Sequence, residues 1–104
     1  MKKIIDGKRY DTATAEQVAS WDNGLGSGDF NNCSEEIYLT KSGNWFIHGE
    51  GGALTGYSES CGNNSTCGGE DIRPVTTAEA REWLEGHDEI EALEKYFAKE
   101  IEDA

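Results

Sequence analysis

Glu79, Glu82 and Glu85 recur every three residues, and Glu91, Glu94 and Glu102 follow on what reads as a second helix. Successive helical turns lie about 5.4 Å apart, close to the spacing of phosphates along a nucleic-acid strand. Carboxylates held on the exposed turns of a rigid helix pair can therefore imitate a phosphate backbone towards a basic groove. Affinity for such a groove comes largely from charge complementarity and falls steeply with salt. The plainer alternative is a solvated acidic face with local pairs Glu91–Lys95 and Lys99–Asp103.

Other residue types capable of chemistry are less well arranged. Glu35-Glu36 and Glu70-Asp71 are adjacent in sequence, so their side chains point apart and set no acid–base separation. Cys33, Cys61, Cys67 and His48 are zinc-ligand types, but there is no Cys-x-x-Cys and no two-plus-two grouping. Nothing marks which thiol a Cys–His nucleophilic pair would activate. His48-Gly49-Glu50-Gly51-Gly52-Ala53 reads as a glycine-rich turn after a strand. It lacks the Lys-Ser/Thr of a phosphate loop, and its central glutamate would repel phosphate. Tyr38, Trp45, Phe46 and Tyr57 are a possible stacking platform, although strand alternation sends half of them into the core. No catalytic residue, metal site or cofactor is assigned, and the chain is expected to be non-enzymatic. A small-molecule or zinc site built from His48–Gly52 and the loop cysteines is the alternative.

The charge distribution favours the helices as the working surface. The net charge is -12 on 104 residues. Residues 1–34 carry four basic and five acidic groups, residues 35–76 two and six, and residues 77–104 three and ten. Direct nucleic-acid binding needs a basic patch. The one basic cluster, Lys2, Lys3, Lys8 and Arg9, is interrupted by Asp6 and followed by Asp11. A hydrophobic fraction of 36% with ten aromatics indicates one folded domain over residues 1–104. No apolar run approaches the roughly 20 residues of a membrane span. Met1-Lys2-Lys3 precedes only Ile4 and Ile5 before Asp6, so no signal core is read and a cytoplasmic location in a bacterial host is expected. Three cysteines, an odd number, argue for reduced thiols.

The elements that would hold these residues read as ββαβββαα, an α+β domain with an antiparallel sheet of two hairpins and an edge strand. Asp6-Gly7 turns a hairpin over residues 2–10. Thr14 and Gln17 form a capping-box pattern for a helix over 14–22, with Ala15, Val18, Ala19 and Trp21 as its apolar stripe. Runs 36–41 and 44–48 flank Ser42-Gly43 as a second hairpin, with Ile37 and Leu39 on one face and Tyr38 and Thr40 on the other. Residues 49–70 read as a long loop. Asp71–Val75 reads as an edge strand, because Pro74 lacks a backbone donor. Thr76/Glu79 and Asp88/Glu91 are two further capping boxes. They open helices whose inner faces are Ala80, Trp83 and Leu84, then Ile90, Leu93, Phe97 and Ile101.

Three stretches resemble a group of small bacterial proteins encoded on phages, plasmids and integrated elements. Lys8-Arg9-Tyr10-Asp11-Thr12-Ala13-Thr14-Ala15 is similar to their opening. The run from Tyr38-Leu39-Thr40-Lys41 through Trp45-Phe46-Ile47-His48 to Gly51-Gly52-Ala53 is similar to their central hairpin. Pro74-Val75-Thr76-Thr77-Ala78-Glu79-Ala80-Arg81-Glu82-Trp83 is similar to the start of their C-terminal helices. The resemblance implies a mobile-element protein. Small acidic proteins of that origin include anti-CRISPR and anti-restriction inhibitors, several of which mimic DNA. The expected partner is thus a basic protein surface, a CRISPR effector (Cas) complex, with no direct nucleic-acid or membrane contact. The residues expected to bind it are Glu79, Glu82, Glu85, Glu91, Glu94 and Glu102.

Overall fold

Asp6 and Gly7 both adopt positive φ, 50° and 76°, the backbone of a two-residue turn whose twist matches that of its flanking strands. Around it β1 (Lys2–Ile5) and β2 (Lys8–Asp11) pair antiparallel, with Lys3 opposite Tyr10 and Ile4 opposite Arg9. The computed structural model describes residues 1–24, 31–52, 59–62 and 65–103, with 59–62 and 65–67 described for their backbone alone. The hairpin forms one outer layer of an α+β fold. The middle layer is a four-stranded sheet of β3 (Glu16–Asp22), β4 (Cys33–Leu39), β5 (Trp45–Gly51) and, beyond a separate hairpin of β6 (Glu59–Gly62) and β7 (Ser65–Cys67), β8 (Gly69–Val75). Its order is β3-β4-β5-β8, antiparallel throughout. The other outer layer is α1 (Thr77–Gly86), α2 (Ile90–Tyr96) and a 3-10 turn, Ala98–Glu100.

Strand alternation sorts the apolar residues onto two buried faces. Ala19, Ile37, Trp45 and Ile47 pack under Ala80, Leu84 and Phe97 from the helical layer. Tyr38, Phe46 and Ile72 face the other way and pack against Tyr10, with Ile5 at the margin. On that side Tyr38 stacks on Phe46 with ring centroids 5.0 Å apart, and Tyr10 meets Phe46 edge-on at 5.6 Å. On the helical side Trp45 stacks on Phe97 at 5.5 Å and meets Tyr96 edge-on. The sheet is therefore hydrophobic on both faces, which explains why β5 begins with the unbroken apolar run Trp45-Phe46-Ile47.

The expected α+β class, both N-terminal and central hairpins, and the edge position of Pro74 are all present. Four local expectations are corrected. Residues 14–22 are not a helix: Glu16–Asp22 is strand β3, paired with β4. Its register shifts at Val18, between Gln17 and Ala19. The extra residue accommodates Val18 beside Ala19, an adjacency that breaks two-residue alternation and, with Ala15 ahead of the strand, imitates a helical stripe. Thr14 instead closes a turn, its backbone N–H donating to the Asp11 carbonyl.

The stretch 49–70 is not one long loop. Strand β5 runs on to Gly51, β6 pairs with β7, and β8 begins at Gly69. Glycine hides this continuity from sequence, yet it is what allows the close approach: a Cβ at Gly68 would stand 2.8 Å from the Gly51 carbonyl oxygen. The Asp88/Glu91 capping box is absent, because Asp88 sits at φ 54° in the link between helices, and Glu89 is the N-cap of α2 with no side-chain cap. Finally, the last helix stops at Tyr96 rather than reaching Ile101. Phe97 is buried against Trp45, while Ile101, four residues on, stays 45% exposed on extended chain instead of extending the stripe over the sheet. Among the described residues no helix is long and apolar enough to cross a membrane.

Candidate docking groove on the helical layer

The helical layer is fixed to the sheet by polar contacts as well as by its core. Thr76 and Glu79 cap α1 reciprocally. The Glu79 amide donates to Thr76 Oγ1 at 3.1 Å, and the Thr76 amide donates to Glu79 Oε1 at 3.0 Å. That amide, then the Thr76 hydroxyl and the charge of Arg73, hold the Glu79 carboxyl below its ordinary value. Trp83 Nε1–H donates to Glu35 Oε1 at 3.2 Å, and Arg73 lies 3.5 Å from the other Glu35 oxygen. His87, at the end of α1, sits between the rings of Trp21 and Trp83, with centroids at 5.0 and 4.2 Å. Glu16 of β3 pairs with Lys95 at 3.5 Å, which links α2 to the sheet edge. Lys95 thus faces Glu16, not the Glu91 expected from helical spacing.

The chain reversal after α1 is tight. Asp88 takes the left-handed conformation, the Glu89 amide donates to the Leu84 carbonyl at 3.0 Å, and α2 starts at Ile90. Beyond α2 the 3-10 turn brings Glu100, Ile101 and Glu102 back beside the helices. Together these segments enclose an open groove of about 420 Å³ lined by Arg81, Glu85, Ile90, Leu93, Glu94, Glu100, Ile101 and Glu102. Ile90, Leu93 and Ile101 supply its apolar surface, and Ile90 and Ile101 are 62% and 45% exposed. Arg81 bridges its two walls, 3.6 Å from Glu85 and 3.5 Å from Glu100. Among the described residues, Glu94 and Glu102 have no ion-pair partner.

The six glutamates singled out by sequence are all exposed on this layer, but they do not form one ladder. Glu85, Glu94 and Glu102 meet at the groove. Glu79 is committed to the cap, while Glu82 and Glu91 stand outside the groove on α1 and on the first turn of α2. Glu102 lies on extended chain after the 3-10 turn, so the expected run of carboxylates along a final helix ends at Glu94. Arg81 was not singled out by sequence, although its i,i+4 spacing to Glu85 is the signal for that pair. The exposure of the isoleucines was not legible, because their spacing matches a buried stripe.

The opposite face of the sheet holds the other titratable cluster. His48 is on the central strand β5, so the expected turn at 48–52 is a paired strand as far as Gly51. Its Nε2 is 2.9 Å from Glu70 Oε2. Its Nδ1 is buried and 3.7 Å from Glu36 Oε1, too long for a hydrogen bond. The Tyr38 hydroxyl donates to Glu36 at 2.8 Å, and its oxygen lies 3.3 Å from the Gln17 side-chain amide. The two carboxylates lie on opposite sides of the imidazole and converge on no common point. Among the described residues, no group of three or more His, Cys, Asp and Glu side chains is placed to hold a metal ion. Burial, with the charge of Glu35 second, pushes the Cys33 thiol above its ordinary value, the reverse of what a nucleophile needs. The side chains of Cys61 and Cys67 lie outside the described residues. Comparison with protein-family models, curated proteins and solved structures finds no match to this chain.

Proposed function

We propose that this is a non-enzymatic binding protein whose acidic helical layer docks onto a positively charged protein surface and so blocks nucleic-acid binding there. The observation that carries this reading is the segregation of charge across the three layers. Residues 77–104 hold ten acidic and three basic groups, while Lys2, Lys3, Lys8 and Arg9 lie on the hairpin across the sheet. Acidity held on one rigid layer gives that layer a negative potential that steers a cationic surface towards it. The resemblance to mobile-element proteins supplies the partner class: a host defence complex, with the nucleic-acid channel of a CRISPR effector as the target of an anti-CRISPR inhibitor.

The test is charge reversal at exposed positions outside the cap. Glu82, Glu91 and Glu94 changed together to lysine are expected to abolish capture of the effector and inhibition of its DNA binding, with an unchanged circular-dichroism melt. Wild-type capture is expected to weaken steeply between low and high salt. A folded triple variant that inhibits as well as the parent sinks the reading.

A further inference from the structure

We infer that the groove between α1, α2 and the 3-10 turn is an anchor site for a basic amphipathic helix of the partner, which presents one or two apolar side chains flanked by lysine or arginine. The inference rests on reading the helical layer as a docking surface, and it specifies the kind of element that docks. A surface that only imitated phosphates would have no use for an apolar floor. Here Ile90 and Ile101 are two of the four exposed large hydrophobic residues among those described, the others being Met1 and Ile4, and both line one groove with Leu93. The volume, about 420 Å³, lies within the about 300–1,000 Å³ of pockets that enclose drug-sized molecules, which is room for one or two apolar side chains.

The rim selects the flanking charges. Four glutamates and one arginine give it a net charge of -3 (four negative, one positive). Arg81 is occupied with Glu85 and Glu100, which leaves Glu94 and Glu102 to receive incoming cations. Apolar anchors on one helix face with cations beside them are the pattern read by helix-in-groove recognition. A second copy of this chain also owns a basic element with an exposed isoleucine, Ile4 opposite Arg9. Repulsion between two molecules of charge -12 opposes that pairing.

Titration of the intact protein at physiological salt with three synthetic peptides tests the site. They are an amphipathic Leu/Lys helix, the same composition scrambled to remove the apolar face, and an oligolysine of equal charge. The amphipathic peptide is expected to bind at least about tenfold tighter than either control. Ile90→Ser with Ile101→Ser should remove that advantage while leaving oligolysine affinity unchanged, and amide shifts on binding should centre on residues 81–102. Both isoleucines are exposed, so the variant is expected to fold, with its thermal melt as the check. Equal affinity for all three peptides, or an unaltered preference in the double variant, overturns the groove. If charge reversal at Glu82, Glu91 and Glu94 still abolishes oligolysine binding in that case, the electrostatic docking reading survives without the groove. Sedimentation showing a dimer that the isoleucine variant breaks also overturns the inference, by giving the groove to a second copy.

Discussion

Tyr38 shows how one side chain serves both a core and a polar network. Its ring is buried against Phe46 while its hydroxyl reaches Glu36 and Gln17. Burial first, then the hydrogen bond to Glu36 and its charge, push the phenol up from 10.0 to about 12. The raised value means the folded state keeps a proton that the unfolded state gives up first. The contribution is thus complete below pH 10 and lost as pH climbs from 10.0 to about 12. Tyr38→Phe is expected to cost about 1 kcal/mol at neutral pH and to blunt the alkaline loss in pH-dependent urea melts. Asp71 runs the other way. The Lys3 ammonium, 2.6 Å away, is the main reason its carboxyl lies below the ordinary 3.8, with the Ile72 amide assisting. Its contribution is present above that value and disappears as pH falls through the lower folded one. Asp71→Asn should therefore melt slightly below the parent at pH 7, by under about 1 kcal/mol for so exposed a pair, and the two melts should converge in acid.

The link between the helices carries a strained residue that makes a prediction of its own. Asp88 holds φ 54°, a region that glycine occupies freely. Asp88→Gly is expected to raise stability by up to about 1 kcal/mol, read as a higher urea midpoint at constant slope. The same residue marks where sequence misleads. Aspartate three positions before glutamate suits a helix cap, but Gly86-His87-Asp88 is needed to turn the chain, so the cap falls to Glu89. Thr76/Glu79 is legible because nothing competes for it. The hairpins were legible from Asp6-Gly7 and from the Trp45–His48 run. Strand β3 was not, since Val18, Ala19 and Trp21 break the alternation of a strand, which the register shift accommodates, and pairing with β4 outweighs local preference. Of the site, the carboxylates were legible and the groove was not: it depends on α2 ending at Tyr96 and on the 3-10 turn bringing Ile101 back beside the helices.

At the scale of the molecule, charge and packing are organised by the same sheet. The residues before β3 place the basic hairpin on one face, and those after β8 place the acidic helices on the other, so the electrostatic character of each pole follows from chain order. The two cores meet back to back through β4 and β5: Ile37, Trp45 and Ile47 belong to one, and Tyr38 and Phe46 to the other. β5 also has a strand on each side, pairing with β4 and with β8. Its amides at Phe46, Ile47 and His48 are therefore released only when both cores open together, and they should be the slowest in the protein to exchange with deuterium. The β1–β2 hairpin, held on one side of the sheet only, should exchange sooner. Comparable exchange rates in the hairpin and in β5 would count against this ordering. Because those shared amides open only with the whole domain, their exchange rate gauges global stability directly. Any partner that grips the helical layer should slow it by a factor that measures its affinity, even though no β5 residue lines the groove.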